Sequence, residues 1–418
     1  MTKPIEEAYA LAKQKYAAIG VDTDAVLEKL SQIKVSLQCW QGDDVLGFMF
    51  PDQALTGGIS VSGNYPGKAT APAQLRADLD KALSLIPGNH KVNLHAIYVD
   101  TDEKIDLDQI EPKHYEKWVQ WAKEKGLGLD FNPTCFSHPK SIDGTLSSND
   151  PETQAFWIEH VKRSRKVAAY FGEELNQTCV NNIWIPDGYK DNPIDKMSPR
   201  VRLRDALDQC LEEKFDDAYM LDAVEGKLFG IGAESFTTGS NDFYLSYALT
   251  RDILWTIDAG HFHPTEDVSD KFTAFLPFGK GLMLHVSRPI RWDSDHVVIL
   301  DEATTRIGET LVRNDLLDKT FIGMDFFDAT INRVAAMVIG ARSTLKSLLL
   351  GMLSPIETLK DAESTGDFTT RLAVTEEMKS YPFGAVWEFY CQQQNVPAGT
   401  EWLTEVKDYE QKILTERK

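Results

Sequence analysis

Eight short apolar runs, separated mostly by segments of helical periodicity, constrain the fold of this chain more than any other feature of its sequence. Each run has the length of a buried strand, and most of the segments between them are long enough for a helix. Regular alternation of this kind is what an eight-stranded parallel barrel requires. The sequence therefore predicts an α/β fold, a (β/α)₈ TIM barrel with N-terminal helices and a C-terminal helical extension. The runs are residues 34–40, 92–98, 127–132, 178–184, 218–225, 253–258, 282–286 and 321–325.

The remaining segments give the predicted organisation of the chain. We assign residues 1–33 to an N-terminal helical segment, residues 34–353 to the barrel that carries the active site, and residues 354–418 to a C-terminal helical extension. Residues 57–72 are rich in glycine, serine and proline, and a loop of this length in a compact domain is typical of an active-site lid or of disorder. A further apolar run, residues 297–300, is left outside the barrel.

The chain is strongly acidic, since 44 Lys and Arg against 64 Asp and Glu give its 418 residues a net charge of −20. A surface of this sign repels a phosphate backbone and an anionic membrane leaflet, so we expect no nucleic-acid partner and no membrane partner. The N-terminus lacks the basic and apolar regions of a signal peptide, and no stretch approaches ~20 consecutive apolar residues; both features favour a cytoplasmic protein. Five scattered cysteines without a Cys-x-x-Cys pair are expected to be reduced and mostly buried.

Ionisable residues stand at the ends of the last four predicted strands, the position at which barrel enzymes carry their active sites. Glu225 and Asp258 end their runs, His285 lies near the end of the next run, and Asp325 ends the last. Aromatic residues flank Asp325, a poor environment for an unpaired carboxylate, so a bound cation would explain its position. Taken alone, His285 is more often a hydrogen-bonded core histidine. We expect Asp328 to cap the helix that follows.

Two loops near these strand ends add ligand candidates. In Asp293-Ser294-Asp295 the carboxylates are two residues apart, so in an extended segment they project to the same side and can bind one cation. In Asp258-Ala259-Gly260-His261 a short turn lets a carboxylate and an imidazole face a shared centre, and such a pair suits Mn²⁺, Co²⁺ or Zn²⁺ better than Ca²⁺. Two alternatives stay open: a solvated Asp-x-Asp loop, and a helix N-cap at Asp258 with a hydrogen-bonded His261.

The chain also offers candidates for holding and polarising a substrate. Lys227 follows Glu225 by two residues, on the same side, and its ammonium group would polarise a carbonyl oxygen. A surface Glu-x-Lys ion pair is the alternative. His95, Trp40 and Trp184 stand at or near the ends of the second, first and fourth runs, where they would line a sugar pocket, although each by itself is more often a core residue.

Five longer motifs stand out in the chain: residues 181–188 (NNIWIPDG), 258–266 (DAGHFHPTE), 285–289 (HVSRP), 291–296 (RWDSDH) and 325–329 (DFFDA). These motifs resemble those of the L-rhamnose isomerase family. The similarity extends over essentially the whole chain, including its length. The family is related to xylose isomerase, so the resemblance implies a (β/α)₈ barrel, two divalent metals per subunit and a homotetramer. Mn²⁺ is the expected ion, with Zn²⁺ or Co²⁺ as the alternative at one site.

The resemblance also implies roles for the candidate residues. A structural metal would be held by Glu225, Asp258, His285 and Asp325. A catalytic metal would be held by His261, Asp293 and Asp295, with Asp258 close enough to bridge. Lys227 would act beside the carbonyl that forms. The position of Asp325, rather than the resemblance, suggests that it assists the proton transfer. His95, Trp184 and Trp40 would contact the sugar.

The reaction implied by the resemblance is the interconversion of L-rhamnose and L-rhamnulose by a metal-assisted 1,2-hydride shift. It requires no organic cofactor, in agreement with the lack of GxGxxG and GxxxxGK[ST] fingerprints. Two other classes compete with it. Metal-assisted hydrolysis by a nuclease-like barrel needs a basic surface, against which the net charge argues. A non-catalytic sugar-binding barrel would have no use for so many metal-ligand candidates.

Overall fold

Eight parallel strands form a closed barrel in the computed structural model, which describes residues 2–50 and 53–417. The predicted fold class is confirmed, and each strand overlaps one of the predicted runs. The strands are β1 (Val35–Gln38), β2 (Lys91–His95), β3 (Gly128–Asn132), β4 (Cys179–Ile183), β5 (Met220–Glu225), β6 (Leu254–Asp258), β7 (Leu282–Val286) and β8 (Thr320–Met324).

The barrel closes where its first and last strands pair. Val35 on β1 lies opposite Ile322 on β8, and Ser36 lies opposite Gly323. Each of the other barrel strands pairs in parallel with its neighbours in chain order. Outside the barrel, Gly188–Tyr189 and Phe236–Thr237 form a two-stranded antiparallel sheet. Because all eight strands run in the same direction, their C-terminal ends meet at one rim.

Helices connect the strands and extend the barrel at both ends of the chain. Two precede β1 and four follow the long helix Arg333–Met352, which lies between β8 and the C-terminal extension. Within residues 2–50 and 53–417, Arg333–Met352 is the one helix that length and composition would allow to cross a membrane, and 83% of its most apolar window is buried in the fold. The helices are α1 (Thr2–Ala17), α2 (Thr23–Ser31), α3 (Pro72–Leu83), α4 (Glu116–Lys125), α5 (Pro151–Leu175), α6 (Met197–Cys210), α7 (Asn241–Arg251), α8 (Asp270–Phe275), α9 (Glu302–Arg313), α10 (Arg333–Met352), α11 (Ile356–Ser364), α12 (Phe368–Met378), α13 (Phe383–Gln393) and α14 (Glu401–Lys412).

The strand alternation decides which residues face the barrel interior. Since successive side chains in a strand point to opposite faces, Glu225 faces the same way as Ala223, and His285 the same way as Met283. Ala223 and Met283 belong to a small, fully buried apolar cluster together with residues of β4 and β6. The barrel interior is therefore apolar beneath the C-terminal rim, and the rim itself carries ionisable groups.

Other local predictions met mixed outcomes. The five cysteines are free and buried, as predicted, and residues 297–300 form no strand.

The prediction that Asp328 caps the next helix is wrong. The cap of α10 is Asn332, whose Oδ1 accepts a hydrogen bond from the Ala335 amide at 2.9 Å, whereas Asp328 Oδ1 accepts from the Thr330 amide at 2.8 Å. The chain first makes a turn here, and the helix begins afterwards.

Candidate active site

A cavity of about 420 Å³ opens at the C-terminal rim of the barrel. This volume lies within the range of roughly 300–1,000 Å³ that is usual for small-molecule sites. All the predicted site residues line it except Asp258, which is buried. The structure therefore brings the candidates together in one place. The lining candidates are Trp40, His95, Trp184, Glu225, Lys227, His261, His285, Asp293, Asp295 and Asp325.

Four side chains from the ends of β5 to β8 converge on one point. Glu225, Asp258, His285 and Asp325 each offer a ligand atom, and these atoms lie within 4.8 Å of one another. His285 Nδ1 lies 3.3 Å from Glu225 Oε1, 3.8 Å from Asp258 Oδ2 and 3.3 Å from Asp325 Oδ2. One ring nitrogen carries at most one proton, so it cannot satisfy three carboxylates by hydrogen bonding. A cation bound among the three carboxylates would satisfy all of them.

A second group shares Asp258 with the first. Asp258, His261 and Asp293 also offer ligand atoms within 4.8 Å of one another. His261 Nε2 lies 3.1 Å from Asp293 Oδ2, and its Nδ1 lies 3.4 Å from Glu225 Oε1. Because Asp258 belongs to both groups, its carboxylate can bridge two centres.

Asp295 lines the cavity but is not a member of either group. Asp293 and Asp295 do not project to the same side of an extended segment, so that prediction is wrong. Asp295 has a φ of 45°, in the left-handed region, so the segment turns here. The turn still leaves both residues in the wall of the cavity.

The donor set fits a divalent cation. Among the described residues, four buried atoms of these two groups have no hydrogen-bond partner: Asp258 Oδ2, His261 Nδ1, His285 Nε2 and Asp293 Oδ1. Leaving a buried polar atom unpaired costs about 1–3 kcal/mol. Carboxylate oxygen together with imidazole nitrogen is the ligand chemistry of Mn²⁺, Co²⁺ and Zn²⁺. Bound cations would satisfy these atoms and neutralise the clustered carboxylates.

The electrostatics of the cluster couple it to protons. Burial raises the pKa of Asp258 to about 8, and the neighbouring carboxylates add to this effect. Burial and the charges of nearby acids raise the pKa of Asp295 well above its usual range. Burial disfavours charge on His261 and His285, but the surrounding carboxylates outweigh it and raise both pKa values. Protons and cations therefore compete for the same atoms, and cation binding weakens as the pH falls.

An aromatic row forms another wall of the cavity. The rings of Trp40 and His95, of His95 and Phe136, and of Phe136 and Trp184 meet edge to face, with centroids 4.6, 5.5 and 5.8 Å apart. Burial and the charge of His285 lower the pKa of His95 to about 3, so its imidazole is neutral. These residues stand at the ends of β2 and β4 or in the loops that follow β1 and β3. The aromatic row thus comes from β1 to β4, whereas the ligand candidates come from β5 to β8.

Lys227 lies between these two halves. Its Nζ stands 4.8 Å from the centroid of the Trp184 ring and donates a hydrogen bond to the Gly57 carbonyl at 3.0 Å. Burial lowers the pKa of Lys227, while Asp293 and Asp295 oppose this shift. The ammonium group is not engaged by Glu225, so the alternative of a surface Glu-x-Lys pair does not hold.

The sequence reasoning missed Asn182 and Thr256. Asn182 Nδ2 donates to Glu225 Oε2 at 2.6 Å, and Asn182 Oδ1 accepts from Thr256 Oγ1 at 2.6 Å. This chain of bonds fixes one oxygen of Glu225 and leaves Oε1 directed towards the histidines. The alternation of side chains along a strand could have identified them. Asn182 and Thr256 each lie on the interior face of their strands, two residues from apolar interior residues.

Comparison with known proteins agrees with the resemblance in the sequence. The family model described as L-rhamnose isomerase (RhaA) matches residues 3–417. The chain belongs to the L-rhamnose isomerase family. It is 60% identical over 414 residues to the L-rhamnose isomerase of Listeria monocytogenes serotype 4a (strain HCC23), covering 99% of each chain. It is 56% identical over 418 residues to the L-rhamnose isomerase of Salmonella typhi, covering 100% of each.

Membership of the L-rhamnose isomerase family makes the chain a sugar isomerase, that is, an intramolecular oxidoreductase. Among solved structures, an L-ribulose 3-epimerase covers 80% of this chain and 98% of its own, with a TM-score of 0.48 and 12% sequence identity. We infer nothing from so distant a similarity. The family assignment is supported by the full-length relatives.

Proposed function

We propose that this enzyme interconverts L-rhamnose and L-rhamnulose with the help of two divalent cations. The observation that carries the proposal is the pair of ligand groups that share Asp258 in the barrel cavity. Membership of the L-rhamnose isomerase family, over residues 3–417, supports the choice of sugar. The net charge of −20 argues against the rival nuclease-like reaction.

The two ligand groups define the proposed cation sites. One cation is held by Glu225, Asp258, His285 and Asp325, and the other by His261, Asp293 and Asp295, with Asp258 between them. Mn²⁺ is the proposed ion, with Zn²⁺ or Co²⁺ at one site as the alternative. When bound, the cations supply Lewis-acid polarisation of the sugar oxygens.

The remaining residues bind and orient the sugar. The apolar face of the pyranose lies against Trp40 and Trp184, and the neutral imidazole of His95 forms a hydrogen bond to a ring oxygen. Lys227, already held by the Gly57 carbonyl, donates a hydrogen bond to the carbonyl oxygen of the open-chain sugar. The carboxylate of Asp325 assists the proton transfer between O2 and O1, and the Trp40 indole holds it in place.

Hydrogen moves between the carbons as a hydride in this proposal. The C2–H bond breaks and its hydrogen passes with the electron pair to C1, while one proton passes from O2 to O1. General-base abstraction at C2 would need a free base within hydrogen-bond reach. The acids that line the cavity are assigned to the cations, and Lys227 is a cationic donor. Of the lining groups, His95 and His296 are assigned to neither cation, and together with Asp325 they are the residues that a base mechanism would have to use.

The same proposal extends to assembly and location. We propose a cytoplasmic homotetramer without a nucleic-acid or membrane partner, in which residues 1–33, 34–353 and 354–418 are the N-terminal, barrel and C-terminal units. Exposed apolar side chains beside the cavity support contact with another copy, since large exposed apolar groups mark interaction surfaces. Phe229 is 52% exposed, Ile231 74% and Trp292 53%. Light scattering of the purified protein measures the mass of the assembly.

Ketose formation from a panel of aldoses tests the function directly. The protein is stripped of metal and assayed alone and with Mn²⁺, Co²⁺, Zn²⁺ or Mg²⁺. We expect L-rhamnulose from L-rhamnose, at the highest rate with Mn²⁺, and little product without metal. No ketose from L-rhamnose with any ion would contradict the substrate. A full rate in the stripped protein would contradict the cation sites.

A further inference from the structure

We propose that residues 410–417 position the wall of the active site from a distance, with Glu410 and Arg417 as positioning residues. They act on residues 53–71, which we call the active-site loop. The inference rests on the proposed function in one respect, namely that the sugar binds in the cavity which this loop lines. No residue of the 410–417 segment lines that cavity.

The first part of the active-site loop belongs to the cavity itself. Gly57, Gly58, Ile59, Ser60 and Ser62 all line it. The loop has no helix or strand of its own, so its shape depends on contacts with other parts of the chain. One such contact is the hydrogen bond from Lys227 to the Gly57 carbonyl.

The middle of the loop is held by backbone pairing. The Ala329 amide donates to the Ser62 carbonyl at 3.0 Å, and the Tyr65 amide donates to the Ala329 carbonyl at 2.7 Å. Gly63, at φ +100°, lies so close to Ala329 that a side chain there would collide with its carbonyl. Arg333 adds a hydrogen bond to the Tyr65 carbonyl at 2.5 Å and an ion pair to Asp44.

The last part of the loop rests on the 410–417 segment. The Tyr65 hydroxyl donates to Glu410 Oε1 at 2.7 Å. Arg417 Nη1 donates to the Gly67 carbonyl at 3.1 Å. Gly67, at φ +82°, packs directly on Leu414: a Cβ at this position would lie 2.6 Å from the Leu414 Cβ. The active-site loop and the 410–417 segment are therefore in close contact through their backbones as well as through side chains.

Arg417 is itself held by a buried ion pair. Its Nη1 and Nη2 lie 2.6 and 2.8 Å from the two carboxylate oxygens of Asp78 on α3. The side chains of Arg417 and Asp78 are 8% and 3% exposed. A bidentate arginine–carboxylate pair fixes both direction and distance. Residues 410–417 thus connect the loop to the rigid body of the barrel.

Loss of this connection should loosen the cavity wall and leave the cation ligands in place. The ligand candidates come from β5 to β8 and do not depend on residues 65–67. An unanchored loop must lose more conformational entropy when it closes on a sugar, so KM for the sugar rises. Arg333 and Ala329 still hold the middle of the loop, so the effect is partial.

The test uses the full-length enzyme, loaded with Mn²⁺, and the variants Arg417→Gln, Tyr65→Phe, Glu410→Gln and Tyr65→Phe/Glu410→Gln. Arg371→Gln is the matched control, because this arginine of the C-terminal extension pairs with the exposed Glu363 and lies over the Phe368 ring, and none of these three residues lines the cavity. For each, kcat and KM for L-rhamnose, protease cleavage within residues 53–71, and the rise in Tm on adding Mn²⁺ to metal-free protein are measured.

We expect Arg417→Gln to raise KM about five- to tenfold with kcat within about twofold, and to speed cleavage of the loop, with the Mn²⁺-dependent rise in Tm unchanged. Tyr65→Phe should give a smaller effect. Glu410→Gln should give an effect at least as large as that of Tyr65→Phe, because Glu410 Oε2 also accepts from Asn332 Nδ2 at 3.3 Å, and the two effects should not add in the double variant. If Arg417→Gln does not fold, the Tyr65 and Glu410 variants decide. KM and cleavage equal to the control in the folded variants would overturn the proposal. A wild-type enzyme inactive on L-rhamnose would contradict the proposed substrate alone, and the cleavage rates would still test the positioning.

Discussion

The indole Nε1 of Trp40 lies 3.2 Å from Oδ1 of Asp325 and donates a hydrogen bond to it. The other carboxylate oxygen, Oδ2, lies 3.3 Å from His285 Nδ1. A residue of the aromatic row thus fixes the orientation of a ligand candidate that follows β8, the last strand, which pairs with β1 where the barrel closes. The bond predicts that Trp40 contributes to turnover as well as to sugar binding.

Trp40→Phe tests this contribution. The change keeps an aromatic face against the sugar but removes the N–H that holds Asp325. A hydrogen bond to a charged group is worth about 1.5–3 kcal/mol, so kcat should fall about tenfold or more while KM changes less. Trp118→Phe is the control, since it removes a buried indole hydrogen bond to the Tyr98 carbonyl elsewhere in the fold. Equal kcat in the two variants would contradict the role of Trp40.

Asp295→Asn should leave a folded barrel with activity reduced by orders of magnitude. The amide keeps the shape of the carboxylate but removes its charge from the proposed catalytic cation. Steady-state rates with Mn²⁺ limiting measure the effect, and circular dichroism checks the fold. Asp191→Asn, in an exposed loop, is the control. A rate near that of wild type would show that Asp295 does not hold the cation.

Removal of metal should lower both activity and Tm. Crowded carboxylates repel one another without a cation, and a ligand that binds only the native state stabilises it by mass action. Exhaustive chelation followed by thermal unfolding measures the shift, and added Mn²⁺ should restore both properties. If neither property changes on chelation, the cluster has no metal role.

Deuterium at C2 of L-rhamnose reports how hydrogen moves. A hydride shift keeps the label on the sugar, so conversion in ordinary water should give rhamnulose with nearly all the deuterium at C1. NMR of the product measures it, and the reverse experiment, unlabelled sugar in heavy water, should give no label at C1. Extensive exchange with solvent would indicate a base at C2, and His95 and Asp325 would be the first residues to test.

Acid should destabilise the fold partly through His90. Burial lowers its pKa to about 4, and its ring accepts from the Val35 amide and bonds the Pro87 carbonyl. Since the unfolded pKa is near 6.5, the stability from neutral His90 is present above that pH and is lost as the pH falls towards 4. Protonation of His90 should thus lower the free energy of unfolding by about 2 kcal/mol between pH 7.5 and pH 5.

The variant His90→Gln keeps both hydrogen bonds without a titrating group. The fall in Tm between pH 7.5 and 5 should be smaller in this variant than in wild type. The control is His263→Gln, at an exposed histidine. An unchanged fall in His90→Gln would contradict the assignment.

The parts of this fold that follow from local pattern were predictable. A period of two in each strand fixes which side chains face the interior, so Glu225, Asp258 and His285 were placed correctly from strand positions alone. Their convergence follows from barrel closure, which brings strand ends together whatever the loops do. The resemblance of the motifs to those of the family then indicates which residues act together.

Features that depend on loop paths were not predictable. The left-handed turn at Asp295 arises from the tertiary setting of its loop, and an extended segment was the wrong expectation. The helix cap at Asn332 in place of Asp328 depends on a turn that precedes it. The bond between Tyr65 and Glu410 joins residues 345 positions apart, and no local periodicity records such a contact.

The separation of the aromatic row on β1 to β4 from the ligand candidates on β5 to β8 has a consequence for redesign. The aromatic row and the ligand candidates lie in different stretches of the chain, before and after residue 185, and Trp40 and Asn182 are residues of the first stretch that bond to ligand candidates. Mutagenesis confined to the first stretch varies the aromatic surface offered to the sugar while every coordinating side chain stays as it is. New aldoses can therefore be sought by exchanging the first half-barrel between relatives, provided that Trp40 and Asn182, which bond to Asp325 and Glu225, are retained.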